Sequence, residues 1–380
     1  MIYLDNNATT KIDESVLAAA MPFLTENFAN ASSTHKFGIS ANEAVKKARV
    51  QVANLLGCQA NEIIFTSGAT EAINLIIKGL NPFGKDGKEK KHIVTAQTEH
   101  TAVLDTCAYM ETIGYEVTYL PVQKDGLLDL TLVKESIRED TLLVCIMLAN
   151  NEIGTIQPIQ EIADLAHQKG ACFFTDATQA VGKIPIDTNE IDIDFLAFSG
   201  HKIHAPKGIG ALFVRSQLRT LITPLQHGGG HEKGLRSGTL NVFGIVGLGQ
   251  ACEIAQKSIE KNATQIAEMR DFLESELLKI EHTFVNGNTE NRLPNTTNIC
   301  FEGADSEATI LGLEDIAVSN GSACTSMKIE PSHVLKALNL TDGQAFQSIR
   351  FSLSKYSTME EMKIAAAKIT KLVKELREML

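Results

Sequence analysis

The chain has 380 residues, 44% of them hydrophobic and 21% charged, and a formal net charge of −11. That is the balance of an ordinary globular protein of about two domains. The acidic excess disfavours a nucleic acid or a membrane surface as partner, and no apolar run nears the roughly 20 residues of a membrane helix. The start, Met1-Ile-Tyr-Leu-Asp-Asn-Asn7, lacks the basic and apolar stretches of a secretory signal, so a cytoplasmic protein is expected.

In chain order, Ser40-Ala-Asn-Glu43 fits a capping box, and Val45, Ala48, Val52 and Leu55 then line one helix face until Gly57 stops it. Seven β-type runs follow: Glu62–Phe65, His92–Thr95, Glu116–Leu120, Thr141–Met147, Ala171–Thr175, Asp194–Ser199 and Gly210–Val214. Several are apolar throughout, as strands covered on both faces must be, and helical patterns separate most of them. The alternation predicts an α/β fold, a mostly parallel seven-stranded sheet with helices on both faces. The basic run Gly84-Lys-Asp-Gly-Lys-Glu-Lys-Lys91 mixes both signs and reads as a solvated loop. Beyond Val214 the pattern changes. Ile245–Ile280 is helical with a break expected near Lys257–Thr264. Short strands at Asn298–Phe301 and Ile316–Ser319 then mix with helices at Ser306–Leu313, Pro331–Leu338 and Thr358–Leu380. This reads as a smaller α+β domain with a boundary near residue 256.

The seven cysteines are odd in number and none has C-x-x-C spacing, which argues against a disulfide framework and a thiolate metal site; no metal is expected. Cys145 and Cys172 sit in apolar runs and read as core. Cys324 differs: Ser319-Asn-Gly-Ser-Ala-Cys-Thr-Ser326 is a string of small residues, which predicts a mobile, exposed cysteine loop over about 319–330, suited to a nucleophile.

Ligands of open α/β sheets bind beyond the carboxyl ends of the strands, so the residues after each run matter. They are Thr66-Ser-Gly-Ala-Thr-Glu71, Gln97-Thr-Glu-His100, Asn150-Asn-Glu-Ile-Gly154, Asp176-Ala-Thr-Gln179 and Ser199-Gly-His-Lys202. Taken singly, each has a plain reading. Ser67–Thr70 fits a simple helix start as well as a phosphate cradle. Asp176 fits a helix cap or a pyridinium partner, His100 a polar strand end, and Lys202 a surface lysine or a cleft amine primed for Schiff-base chemistry. Together they supply a phosphate cradle, a pyridinium partner and an amine, the needs of a pyridoxal 5'-phosphate (PLP) enzyme.

These motifs, with Leu4-Asp-Asn-Asn-Ala-Thr-Thr10, Arg236-Ser-Gly-Thr239, Gly321-Ser-Ala-Cys-Thr325 and Ser348-Ile-Arg350, resemble the cysteine desulfurases of the NifS/IscS type, in the class V aminotransferase group. The resemblance implies a fold-type I PLP enzyme with a large domain over 13–255 and a small one over 256–380, which residues 1–12 join. By resemblance, Lys202 would carry PLP as a Schiff base, His100 would stack on the ring as a candidate acid/base, Asp176 would pair with the pyridine nitrogen and Gln179 with the phenolic oxygen. Asn151 would lie near that oxygen and the substrate. Ala69, Thr70, Ser199 and His201 would hold the phosphate, Thr239 would reach the phosphate of a neighbouring subunit in a homodimer, and Arg350 would clamp the substrate carboxylate. Cys324 would receive the sulfur of L-cysteine as a persulfide, leaving L-alanine, and pass it to an acceptor protein for iron–sulfur cluster assembly or tRNA thiolation. The rival readings are a selenocysteine-specific relative, a class V aminotransferase and a sulfur-trafficking adaptor that holds PLP only as structure.

Overall fold

The computed structural model describes residues 1–83, 87–321 and 330–379. Cys324 and the centre of its expected loop lie outside the described residues, as does part of the basic run at 84–91.

The seven runs predicted from sequence form one sheet. Across it the order is Ile63–Thr66, Gly210–Val214, Phe195–Ser199, Cys172–Asp176, Thr141–Cys145, His92–Ala96 and Glu116–Leu120. Only Gly210–Val214 runs antiparallel to its neighbours. The strand period of two sends alternate side chains to opposite faces. Val144, Phe173 and Leu196 enter one apolar cluster, and Leu143, Cys145, Phe174 and Phe195 enter another on the far side. Both faces are thus covered by helices, and Cys145 and Cys172 are core residues, 0% and 1% exposed.

Two helical expectations need correction. The helix expected from Ser40 spans Lys36–Leu56 and starts earlier, because His35 caps it: Nδ1 accepts the Gly38 N–H at 3.2 Å. Ser40 is therefore interior and caps nothing. Gly57, at φ 64°, ends the helix as expected. The second correction is the break near Lys257–Thr264, which is absent; Val242–Leu277 is one helix of 36 residues. Its polar middle is supported by bonds one turn back, from Ser258 Oγ to the Ile254 carbonyl and from Asn262 Nδ2 to Ser258 Oγ. Both ends are packed. Gly249 lies so close to Ala48 that a Cβ there would come within 2.6 Å of the Ala48 Cα, while Leu273 and Leu277 enter a third apolar cluster. Tertiary packing outweighs the weak local propensity, and residue 256 falls inside this helix.

The third cluster backs a second sheet, with Thr296–Phe301 between Thr283–Asn286 and Ser348–Ser352, all antiparallel. Only the central strand of these was expected. Ile2–Tyr3 pairs in parallel with Ile316–Ala317, and Leu4 joins the third cluster. The chain then crosses to the edge of the large sheet: Asn6 N donates to the Ser352 carbonyl and Thr10 N to the His201 carbonyl. Among the described residues, no helix is long and apolar enough to cross a membrane.

Candidate active site

Four neighbouring parallel strands end at the same edge, so the segments after them converge without long loops. A cavity of about 400 Å³ opens there, bounded by Asn7, Ala69, Thr70, His100, Asn151, Asp176, Gln179, Ser199, His201, Lys202 and Arg350. Every described site residue predicted from sequence is in this wall except Thr239, which is exposed and stands apart from it.

The cradle side is built by close backbone approach. The turn Ser67–Gly68 leads into helix Ala69–Gly79, whose first amides are unpaired by the helix itself and favour an anion. Ser199 Oγ accepts the Ala69 N–H at 2.8 Å, and Glu71 Oε2 accepts the Ser67 N–H at 2.8 Å. Glu71 also pairs with Arg236 Nε at 2.9 Å, tying the turn to the segment that carries Thr239. A Cβ on Gly210 would lie 2.7 Å from the Gly68 Cα, so glycine there lets the strand and the turn meet.

Lys202 follows strand Phe195–Ser199 on a short 3-10 turn. Its Nζ donates to the carbonyl oxygens of Asn7 and Ala8 at 2.6 and 2.7 Å. Asp176 ends its own strand, 6% exposed, and Oδ1 accepts the Thr178 N–H at 2.9 Å. His100 caps helix Thr101–Thr112, with Nδ1 accepting the Ala102 N–H at 3.1 Å. An amide can only donate, so the neutral ring carries its proton on Nε2. Burial lowers the His100 pKa, Asp176 opposes this and Lys202 reinforces it. Burial likewise pushes His201 down to about 4, with Lys202 and Lys207 adding to the effect; its Nδ1 lies 3.1 Å from Thr9 Oγ1.

Arg350 stands on the facing strand of the second sheet, 4% exposed. Its Nη2 donates to Asp5 Oδ1 at 2.6 Å and Nη1 to the Asn151 carbonyl at 3.0 Å. Its Nε is buried with no partner among the described residues, a donor in want of an acceptor. The turn that sets Asn151 is organised by Asn150, whose Oδ1 accepts from Glu152 N and Ile153 N while Nδ2 donates to the Thr98 carbonyl.

The class V aminotransferase model matches residues 2–364. The chain is 48% identical over 381 residues to the cysteine desulfurase IscS of Pectobacterium carotovorum subsp. carotovorum (strain PC1), over 100% of this chain and 94% of that one. Among solved structures, a NifS-like protein superposes with a TM-score of 0.91 at 39% identity, over 98% of this chain and 99% of that one. The structure of SspA in complex with cysteine gives 0.82 at 39% identity, over 94% and 100%. This chain is a NifS/IscS-type member of the class V aminotransferase family.

Three groups of this NifS/IscS-type site escaped the sequence reading. Asn7, 1% exposed, uses every polar atom of its side chain: Nδ2 donates to the Asn151 carbonyl and Thr296 Oγ1, and Oδ1 accepts from Asn295 and Lys183. Glu99 lies inside a predicted motif but is wholly buried, and desolvation raises its carboxyl well above the usual range; Oε1 accepts the Met147 N–H at 2.7 Å. Glu152 is held by both sides of the undescribed cysteine segment. Ser332 Oγ donates to its Oε2 at 2.5 Å, and a Cβ on Gly321 would fall 2.4 Å from that oxygen. The motifs Leu4–Thr10, Gln97–His100 and Asn150–Gly154 contain Asn7, Glu99 and Glu152, but nothing local assigns them a role.

Proposed function

We propose that this PLP-dependent cysteine desulfurase holds its cofactor on Lys202 and moves the sulfur of L-cysteine to Cys324, so that L-cysteine and the enzyme thiol give L-alanine and an enzyme persulfide. The observation that carries the reading is the pairing, across one cavity, of an amine and a buried acid on the large sheet with Arg350 on the small one, whose Nε has no partner among the described residues. The residues fit the cofactor: a glycine-lined turn at a helix N-terminus for its phosphate, Asp176 for its ring nitrogen, Gln179 for its phenolic oxygen and Lys202 for its aldehyde. Bound PLP supplies an electron sink that weakens bonds at the substrate Cα.

The protein's own residues do the rest. Arg350 receives the substrate carboxylate with its planar fork, and Asn151 borders the same space. Ala69, Thr70, Ser199 and His201 surround the phosphate end. Lys202 would take and return the Cα proton, and His100 would offer a proton from Nε2. The Cys324 thiolate attacks the substrate sulfur; the Cβ–S bond breaks and its electron pair stays with the carbon skeleton, which is protonated to alanine. The persulfide passes to an acceptor protein, an iron–sulfur scaffold or a tRNA-thiolation relay. Thr239, exposed in one chain, serves the phosphate of a second copy, so the working unit is a homodimer.

The test is Cys324→Ser. It should keep the visible absorption of bound PLP and still bind L-cysteine, yet release neither alanine nor sulfide, because a hydroxyl is barely ionised near neutral pH and cannot carry the sulfur as a persulfide. Turnover near the parent rate would remove Cys324 from the mechanism.

A further inference from the structure

Behind the cavity wall, Lys183 reaches back one turn and donates to Gln179 Oε1 at 2.7 Å and to Asn7 Oδ1 at 3.0 Å. Gln179 Nε2 donates to the Asn7 carbonyl at 3.0 Å, the same oxygen that Lys202 Nζ meets at 2.6 Å. One side-chain amide is thus gripped at both ends while its edge borders the cavity.

The grip selects an orientation. The oxygen and nitrogen of an amide are nearly the same size, so rotation by 180° exchanges a donor for an acceptor at little steric cost. At Gln179 the flipped amide would set its oxygen against the Asn7 carbonyl, two acceptors facing each other, and turn its NH₂ toward the Lys183 amine. In the orientation seen, one Nε2 hydrogen is committed to Asn7 and the second remains for whatever occupies the cavity.

Among the described residues Lys183 makes no ion pair. The charges acting on it are the cations Lys202 and Arg350, and desolvation first, then these, push its amine well below the usual lysine value. Its surface that is not covered by protein lines a narrow cavity of about 60 Å³. Gln179 Oε1 and Asn7 Oδ1 each accept one hydrogen of its amine.

We propose that Lys183 is a positioning residue of this site: it locks the Gln179 amide so that an N–H, not a carbonyl, faces the cofactor. This rests on the reading of the cavity as a PLP site. The locking also reaches Lys202, which shares the Asn7 carbonyl with Gln179.

The experiment adds PLP to cofactor-stripped protein and records the visible absorption spectrum and the PLP affinity of the parent, Lys183→Met, Gln179→Leu and the double variant. Methionine keeps an unbranched chain of similar length and removes the amine. Lys183→Met should bind PLP about tenfold more weakly, the effect of losing roughly one hydrogen bond to a buried acceptor, with a shifted absorption maximum. In the Gln179→Leu background the same substitution should change neither quantity. Gln179→Glu, which keeps Lys183 but offers no N–H, should reproduce the Lys183→Met spectrum and gives a reading even if Lys183→Met does not fold. A parent spectrum and affinity in Lys183→Met, an undiminished effect in the Gln179→Leu background, or a parent spectrum in Gln179→Glu would each overturn the proposal. A parent protein that takes up no PLP would instead overturn the cofactor reading itself.

Discussion

Arg350→Lys should raise the KM for L-cysteine by about 10- to 150-fold while leaving kcat and the absorption of bound PLP nearly unchanged. Arginine here makes two contacts of its own, to Asp5 and to the Asn151 carbonyl, and still holds a buried Nε without a partner among the described residues. A carboxylate can meet the fork with two parallel bonds. Lysine offers one nitrogen, so satisfying Asp5 leaves it little to offer a ligand. Losing one charge-assisted bond costs roughly 1.5–3 kcal/mol, a factor of about 10 to 150 in affinity. The carboxylate takes no part in the bond changes at sulfur, so the contact holds ground and transition states alike and its loss falls on KM. Initial rates of alanine formation across a range of cysteine concentrations measure this, with cysteine methyl ester as control. The ester lacks the carboxylate, so parent and variant should handle it equally. An unchanged KM for cysteine, or an equal loss on the ester, would refute the clamp.

Two further substitutions probe the frame. Gly210→Ala should lower stability by about 1–3 kcal/mol and weaken PLP binding, because the new Cβ would stand 2.5 Å from the Phe198 carbonyl oxygen and 2.7 Å from the Gly68 Cα; thermal melts and a PLP titration report it, and a parent-like variant would show that the cradle does not need this approach. Glu99→Gln should be nearly as stable as the parent at neutral pH, since burial disfavours the charged carboxylate and an amide has the same shape as the neutral carboxyl, whereas Glu99→Ala leaves the Met147 N–H unpaired at a cost of roughly 1–3 kcal/mol. The folded Glu99 pKa is raised above its unfolded value of about 4.3. The native chain therefore keeps a proton that the unfolded chain gives up, and the stability from this group falls as pH rises above about 4.3 toward the folded value. Melting curves should show that fall flattened in Glu99→Gln, and identical pH profiles would mean that Glu99 is ionised in the fold.

What was legible in the amino-acid sequence was local. Several of the seven strands announced themselves because a strand covered on both faces must be largely apolar, and runs such as Thr141–Cys145 and Phe195–Ser199 are buried throughout. Parallel strands end at one edge, so the short motifs after them had to converge, and the cavity holds Ala69, His100, Asn151, Asp176, Gln179 and Lys202 together. Local signals misled where a distant surface or an earlier residue supplied the decisive contact. His35 started a helix ahead of the Ser40 capping box, and packing at both ends carried Val242–Leu277 through a polar stretch that looked like a break. Arg350 was singled out only through its motif, and its role depends on a strand of the second sheet facing the first. Asn7 was hinted at only by the motif Leu4–Thr10, and Lys183 was left to the tertiary structure. Their meaning lies in the bond between them, 176 positions apart, and in those of Asn7 to Asn151, Asn295 and Thr296, up to 289 positions away, and no pattern of neighbours in the chain encodes a hydrogen bond that exists only once two sheets and the first residues of the chain have closed on one another.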